Sequence, residues 1–254
     1  MSENIIAIVQ ARMGSTRLPG KVMQKIINKP MIEILLSRLS QSKLITQIIL
    51  ATSLNEENDE LCEFVKSLHY SVFRGNEDDV LDRFVKASEK TNADHIVRIT
   101  GDSPLIDPFI CDQLIEYYLQ EKADYAYLSS HFCEGLDCEV ISKRALDIAN
   151  KNANKMSERE HVTLYLYDHP ELFLNVKLTN NTDDSHYRFT VDNQEDFTVV
   201  SNIIENNIAN LQSLTSFQTK QYLDNHPEIK KLNSHIIRNE GLLKSIDNDY
   251  LIKQ

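Results

Sequence analysis

The chain has no tryptophan and only six glycines, six prolines and four cysteines among 254 residues. So little glycine and proline excludes collagen-like, mucin-like and proline-rich linker regions, and no internal repeat or low-complexity tract is present. The cysteines, Cys62, Cys111, Cys133 and Cys138, form no C-x-x-C pair and are too few to staple a chain of this length. They read as small apolar side chains in a reduced, cytoplasmic protein. No stretch approaches the roughly 18 uninterrupted apolar residues of a membrane-spanning helix. The opening MSENIIAIVQARMGS carries Glu3 and reads as a strand, without the basic start and small-residue cleavage site of a signal peptide. Positive charge is also scarce, with 27 Lys and Arg against 38 Asp and Glu and a net charge of −11. That balance excludes a nucleic acid held through its phosphates.

The charge is unevenly spread. Residues 1–30 hold Arg12, Arg17, Lys21, Lys25 and Lys29 against Glu3 alone, a local +4 that leaves −15 for the remaining 224 residues. A cationic island in an acidic protein points to a small anion as ligand.

Element order sets the fold class. Asn4–Gln10 is a continuous apolar run of strand length, as in strands buried on both faces. A Gly- and Arg-containing loop follows over Ala11–Gly20, and Pro30 suits a first helical turn. Strands are expected at Ile45–Ala51, Tyr70–Phe73, His95–Thr100 and Ala123–Leu128. Between them lie helices at Glu56–Leu68 and Asp79–Lys90 and one carrying Leu114, Ile115, Tyr118 and Leu119. This alternation predicts an α/β fold of βαβ units, a mostly parallel sheet with helices on both faces. After residue 130 the rhythm becomes α+β. Extended segments are expected at Leu136–Ile141, Leu172–Leu178 and Tyr187–Val191, with helices at Ser142–Ala153, Glu158–Asp168 and Glu195–Asn210. No linker interrupts the chain, so one domain is expected over 1–254, with an α/β half (1–130), an α+β part that extends it (131–210) and a solvated helical cap (211–254).

Three loops could carry chemistry. Ala11-Arg12-Met13-Gly14-Ser15-Thr16-Arg17-Leu18-Pro19-Gly20-Lys21 follows the first strand, where open α/β sheets bind ligands. Its glycines, backbone N–H groups, Ser15 and cationic side chains could surround a triphosphate. It is not a Walker A loop: five residues separate Gly14 from Gly20 instead of four, and Val22 stands at the Ser/Thr position. A solvated surface loop is the alternative. In the second loop, Arg98–Pro108, Gly101-Asp102 places a carboxylate at the same sheet edge, suited to a hard cation such as Mg2+. Asp102 could instead cap a helix, although Asp107 before Pro108 fits that role better. In the third, Tyr187–Asn193, Asp192 either caps the next helix or pairs with Asp102 about one Mg2+ against a triphosphate. Weaker features are Arg74 in a polar loop entering a helix, the alternating acidic and apolar segment Glu134–Val140, and His161 on a helix face, where histidines are more often structural.

The segments IVQARMGSTRLPGKV, FRGNEDDVLDRF, RITGDSPLIDP, EGLDCEV, EREHVT and FTVDNQEDF, in that order, resemble the cytidylyltransferase family that includes CMP-KDO and CMP-sialic acid synthetases. They are most similar to the spore coat polysaccharide biosynthesis protein F branch. The resemblance implies a Rossmann-like nucleotidyltransferase fold and transfer of CMP from CTP to a sugar acid, with release of pyrophosphate. It implies that Ala11, Arg12, Gly14, Ser15, Arg17, Lys21, Arg74 and Thr100 contact the nucleotide, with Arg74 near the cytosine. Asp102 and Asp192 would hold Mg2+, and Glu134, Asp137 and His161 would face the acceptor. It also implies that 1–130 is the nucleotide-binding half and that 131–210 binds the acceptor and provides the contact of a homodimer. The sialic-acid branch has a second Asp where this chain has Thr190, and CMP-KDO enzymes usually have Gln and Glu where it has Thr100 and Ser103, so the acceptor stays open. Two other functions remain as alternatives: a glycosyltransferase using a nucleotide-sugar donor, although Gly-Asp-Ser stands where those enzymes carry Asp-x-Asp, and a catalytically silent nucleotide-binding protein.

Overall fold

A computed structural model describes residues 3–252 of the chain. The apolar run Ile5–Gln10 forms β1. It lies in the middle of a seven-stranded sheet, between β4 (Gln47–Ser53) and β6 (His95–Thr100). Outward from β4 comes β5 (Ser71–Gly75); outward from β6 come β8 (Cys138–Ser142), β7 (Tyr125–Leu128) and β9 (Asn175–Leu178). Only β8 runs against the others. A separate short hairpin pairs β2 (Lys25–Ile26) with β3 (Lys29–Pro30). Family resemblance and element order both lead to the Rossmann-like α/β sheet, and that is the architecture observed.

Alternate residues of β1 serve two cores. Ala7 and Val9 pack with Leu50, Val97, Leu35 of α1 (Met31–Leu39), Leu61 of α2 (Asp59–Ser67) and Leu114 of α4 (Pro108–Glu121). Ile6 and Ile8 pack on the opposite face with Phe84 of α3 (Val80–Ser88) and Leu146 of α5 (Lys143–Asn152). Each fully buried Ile or Leu contributes about 1.5–3 kcal/mol. A third core joins the loops at the sheet's carboxyl edge to the second half, with Leu18, Leu105 and Phe189 against Val199 and Ile203 of α8 (Gln194–Asn206).

Several local expectations change in the structure. The helix expected over Glu158–Asp168 is two, α6 (Met156–Glu160) and α7 (Leu164–Asp168). They are separated at the β-branched pair Val162-Thr163, where Val162 takes φ 50. Tyr187–Val191 is extended but joins no sheet. Its backbone bonds go to loops: Glu134 N to Tyr187 O (3.1 Å), Phe189 N to Glu134 O (2.7 Å) and Val191 N to Asp102 O (2.8 Å). Pro30 precedes α1 instead of lying in its first turn. The tail is helical in pieces, as expected: α9 (Ser216–Asn225), α10 (Pro227–Lys230) and α11 (Glu240–Asp247). Among the described residues, no helix is long and apolar enough to cross a membrane.

Candidate active site

The loops after β1 and β6 leave adjacent strands at the same sheet edge. Gly101 N donates to Gln10 O at 2.8 Å, so the two strand ends lie almost in contact. A Cβ at position 101 would stand 2.5 Å from Ala11 Cβ and 3.0 Å from Gln10 O, so only glycine fits. The next residue is Asp102. Its carbonyl accepts from Val191 N and from Thr190 Oγ1 (3.3 Å), which brings residue 192 beside it.

The two capping alternatives are resolved by geometry. Asp107 caps α4, accepting from Phe109 N at 3.0 Å. Asn193 caps α8 in a reciprocal box with Asp196. The carboxylates of Asp102 and Asp192 are therefore available elsewhere, and both meet the ammonium of Lys21. Lys21 Nζ lies 3.2 Å from Asp102 Oδ2, 2.9 Å from Asp192 Oδ1 and 2.7 Å from Val191 O. Burial by itself lowers the Lys21 pKa, but the two carboxylates outweigh it and raise the pKa above its ordinary value. Burial likewise pushes Asp192 up, and Lys21, Arg17 and Arg188 overcome it, so that Asp192 titrates below the usual carboxylate range. Arg17 Nη2 lies 3.1 Å from Asp192 Oδ1.

Behind Asp192 is a buried polar network. Arg188 pairs with Glu134, Asp192 (2.9 Å) and the fully buried Asp196 (2.8 Å). Asp196 Oδ2 accepts from the backbone N–H of Asp192 (3.0 Å) and Asn193 (3.2 Å), while Asn233 donates to Asp196 Oδ1 at 3.0 Å. Every oxygen that fixes the 192–193 turn is thus itself held.

A cleft of about 340 Å3 opens in front of the Lys21 cluster, and among the residues lining it are Ala11, Arg12, Gly14, Ser15, Arg17, Lys21, Thr100, Asp102 and His161. The structure brings these together from the first loop, the second loop and the end of α6. Arg12 is held by Glu77 at 2.7 Å. His161 Nε2 is buried with no hydrogen-bond partner among the described residues, and burial lowers the imidazole's pKa. Four expected residues do not line this cleft. Asp192 is one of them, its carboxylate taken up by Lys21, Arg17 and Arg188. Arg74 spends its donors on Ser53 O (3.0 Å), Asn55 O (2.9 Å) and Asp59 (2.6 Å). Glu134 is the buried partner of Arg188, and Asp137 accepts from Gly135 N (2.9 Å) and pairs with Arg238 (3.3 Å).

Residues that the sequence reading did not single out complete the walls, among them Gln10, Glu77, Asp78, Arg83 and Glu160. Arg83 is buried, makes no ion pair among the described residues, and has its pKa lowered to about 10, first by burial and then by the charge of Arg12. It lies inside the motif FRGNEDDVLDRF, nine positions after Arg74, and of the two guanidinium groups in that motif it is the one that lines the cleft.

Among the described residues no group of three or more His, Cys, Asp and Glu could hold a metal by itself. Asp102 and Asp192 share one cation in Lys21. Two carboxylates so placed match what Mg2+ takes from a protein when phosphate oxygens and water complete its shell.

A family model described as cytidylyltransferase matches residues 6–232. The chain belongs to the cytidylyltransferase family. The family consists of CTP-dependent nucleotidyltransferases, in keeping with a nucleotide-sized cleft at the carboxyl edge of the sheet. An uncharacterized protein of Methanocaldococcus jannaschii is 39% identical over 234 residues, 91% of this chain and 95% of that one. The spore coat polysaccharide biosynthesis protein SpsF of Bacillus subtilis is 37% identical over 201 residues, 76% of this chain and 83% of its own length. The 3-deoxy-manno-octulosonate cytidylyltransferase of Geobacter sulfurreducens is 32% identical over 114 residues, 44% of each chain. Among solved structures, a cytidylyltransferase from Leptospira borgpetersenii superposes with a TM-score of 0.85 at 30% identity, covering 90% of this chain and 97% of that one.

Proposed function

We propose that this cytidylyltransferase moves CMP from CTP to a sugar acid of the KDO, sialic or legionaminic type, releasing pyrophosphate, in the synthesis of a surface polysaccharide. The observation that carries the reading is the meeting of Asp102 and Asp192 at Lys21 beside the cationic turn. An acceptor oxygen attacks the α-phosphorus, the bond from that phosphorus to the β-phosphate bridge oxygen breaks, and the acceptor hydroxyl loses its proton. Charge then spreads over phosphate oxygens, so catalysis is mostly positioning and electrostatic stabilisation.

Arg12, Arg17, Ser15 and the backbone N–H groups about Gly14 hold the triphosphate, and Ala11 and Thr100 form the wall beneath it. Lys21 neutralises the leaving pyrophosphate. Arg188 and Asp196 hold Asp192 against Lys21. His161, kept neutral by burial, offers its unpartnered Nε2 to the acceptor. Mg2+, held by Asp102 and Asp192, supplies Lewis-acid polarisation of the phosphate oxygens when bound.

The test is a screen for pyrophosphate release from CTP across KDO, sialic, legionaminic and phosphorylated small-molecule acceptors, beside melting temperatures with the four nucleoside triphosphates. Release with a sugar acid, and a larger thermal shift with CTP and Mg2+ than with ATP, GTP or UTP, support the reading. Equal shifts with all four nucleotides remove the cytidine assignment. CTP binding without release on any acceptor favours the silent nucleotide-binding protein.

A further inference from the structure

The family match ends at residue 232, and the residues that follow return to the cleft. Helix α11 buries none of its side chains, and Ile237, Leu243, Ile246, Tyr250 and Leu251 are all exposed. The main ties of this segment are polar. Arg238 donates to Phe132 O (2.7 Å) and Asn239 N to Glu134 Oε1 (3.0 Å). At the far end Asp249 accepts from Ser157 N (3.0 Å) and Oγ (2.7 Å), and Ile252 N donates to Asn154 O (2.8 Å). Between these anchors, two contacts fall on residues that line the cleft itself. Glu240 pairs with Arg17 at 2.6 Å on the side of the cationic turn, and Ser245 Oγ donates to Glu160 at 3.0 Å on the α6 side. The segment therefore spans from one wall of the cleft to the other. Few buried apolar contacts and mostly solvent-facing polar ties are the marks of a segment that opens locally without unfolding the rest.

We propose that residues 234–252 are an autoinhibitory strap, in which the Glu240 carboxylate occupies the Arg17 guanidinium until a triphosphate displaces it. The inference rests on the proposed function for the identity of the incoming anion. A guanidinium fork takes either a carboxylate or a phosphate, and the triphosphate brings more charge and further partners in Arg12 and Lys21. Glu240 loses little on release, because Lys244 already lies 2.6 Å from its other oxygen. An ion pair this exposed is worth a factor of a few in an equilibrium constant, which sets the scale of the competition. Arg17 meets Glu240 through Nη1 and Asp192 through Nη2, so release of Glu240 leaves Arg17 anchored to Asp192.

The experiment compares the full chain with Glu240→Gln, which keeps the shape and removes the charge. Calorimetric titrations use CTP with Mg2+ and, separately, inorganic tripolyphosphate. Hydrogen exchange of residues 234–252 is followed with and without CTP. The strap predicts two- to fivefold tighter binding of both ligands by Glu240→Gln, an unchanged kcat, and faster exchange of the segment in wild type once CTP is bound. Unchanged or weaker binding by the variant overturns it, as does slower exchange with CTP, which shows a segment that closes over the nucleotide. Wild type that binds tripolyphosphate but not CTP, with Glu240→Gln tighter for the former, keeps the strap and removes the CTP reading. Wild type that binds neither ligand removes both.

Discussion

Replacing Lys21 by methionine keeps an apolar stem of similar length and deletes the one cation that both Asp102 and Asp192 touch. Two charge-assisted contacts and a bond to the Val191 carbonyl are lost. Charged hydrogen bonds contribute about 1.5–3 kcal/mol each when well shielded. Here the discount is large: the side chains of Asp102 and Asp192 are 27% and 21% exposed, and Asp192 keeps Arg17 and Arg188. A net loss of about 2 kcal/mol follows. For a chain of this size that is a fall in melting temperature of about 4–8 °C.

The pH profile of that loss follows from the two shifts. Asp192 titrates below its ordinary 3.8, so its contribution is present above that value and fades as pH falls through the lower, folded pKa. Lys21 titrates above its ordinary 10.5, so its contribution is present below that value and fades as pH climbs through the higher, folded pKa. Differential scanning calorimetry of wild type and Lys21→Met from pH 3 to pH 11 therefore shows a gap that is constant across the neutral range and narrows toward both ends. In the variant the two carboxylates lose the cation they share, so added Mg2+ raises its melting temperature more than that of wild type. Equal melting temperatures, or a Mg2+ response no larger in the variant, refute the reasoning.

Three further perturbations probe the support of the site. Asp196→Ala strips Arg188 and the 192–193 turn of a fully buried carboxylate, and is expected to cost about 3–5 kcal/mol in chemical denaturation; a loss below 1 kcal/mol contradicts the network. Gly101→Ala forces a Cβ to within 2.5 Å of Ala11, and is expected to cost about 1–3 kcal/mol and to lower kcat by moving Asp102; wild-type stability and turnover count against the close approach. His161→Ala is expected to raise KM for the acceptor at least tenfold while CTP binding by calorimetry stays unchanged, and an effect on CTP alone places His161 on the nucleotide.

The sequence carried the sheet because its inner strands are uninterrupted apolar runs, and the capping role of Asp107 because Asp-Pro at a helix start has one common use. It also suggested that Asp102 and Asp192, each ending an apolar segment, lie close together, and in the structure both reach Lys21. What it could not carry depends on contacts distant along the chain. Tyr187–Val191 has the composition of a strand, yet its hydrogen bonds go to residues 102 and 134, so it staples loops together instead of widening the sheet. Arg188 reads as a polar interruption in that segment until Asp196, Glu134 and Asn233 surround it; the one local hint is the Asn193-x-x-Asp196 capping spacing. Arg74 and Arg83 are alike in sequence, and only the fold shows which one turns to its own neighbours and which one lines the cleft. The tail is solvated along α11, as composition predicts, but nothing in its sequence shows that Glu240 reaches Arg17 from 223 positions away.

Transfer of the α-phosphorus is the most direct test of the whole account. CTP labelled at the α-phosphate is incubated with Mg2+ and the sugar acids of the acceptor screen, using wild type, Asp102→Asn and Asp192→Asn. The account predicts label in a CMP-sugar product with wild type, and at least ~100-fold slower transfer with each variant, the scale of losing one key electrostatic contact. Label that stays in CTP across every acceptor, or near-normal transfer by either purified variant, contradicts it.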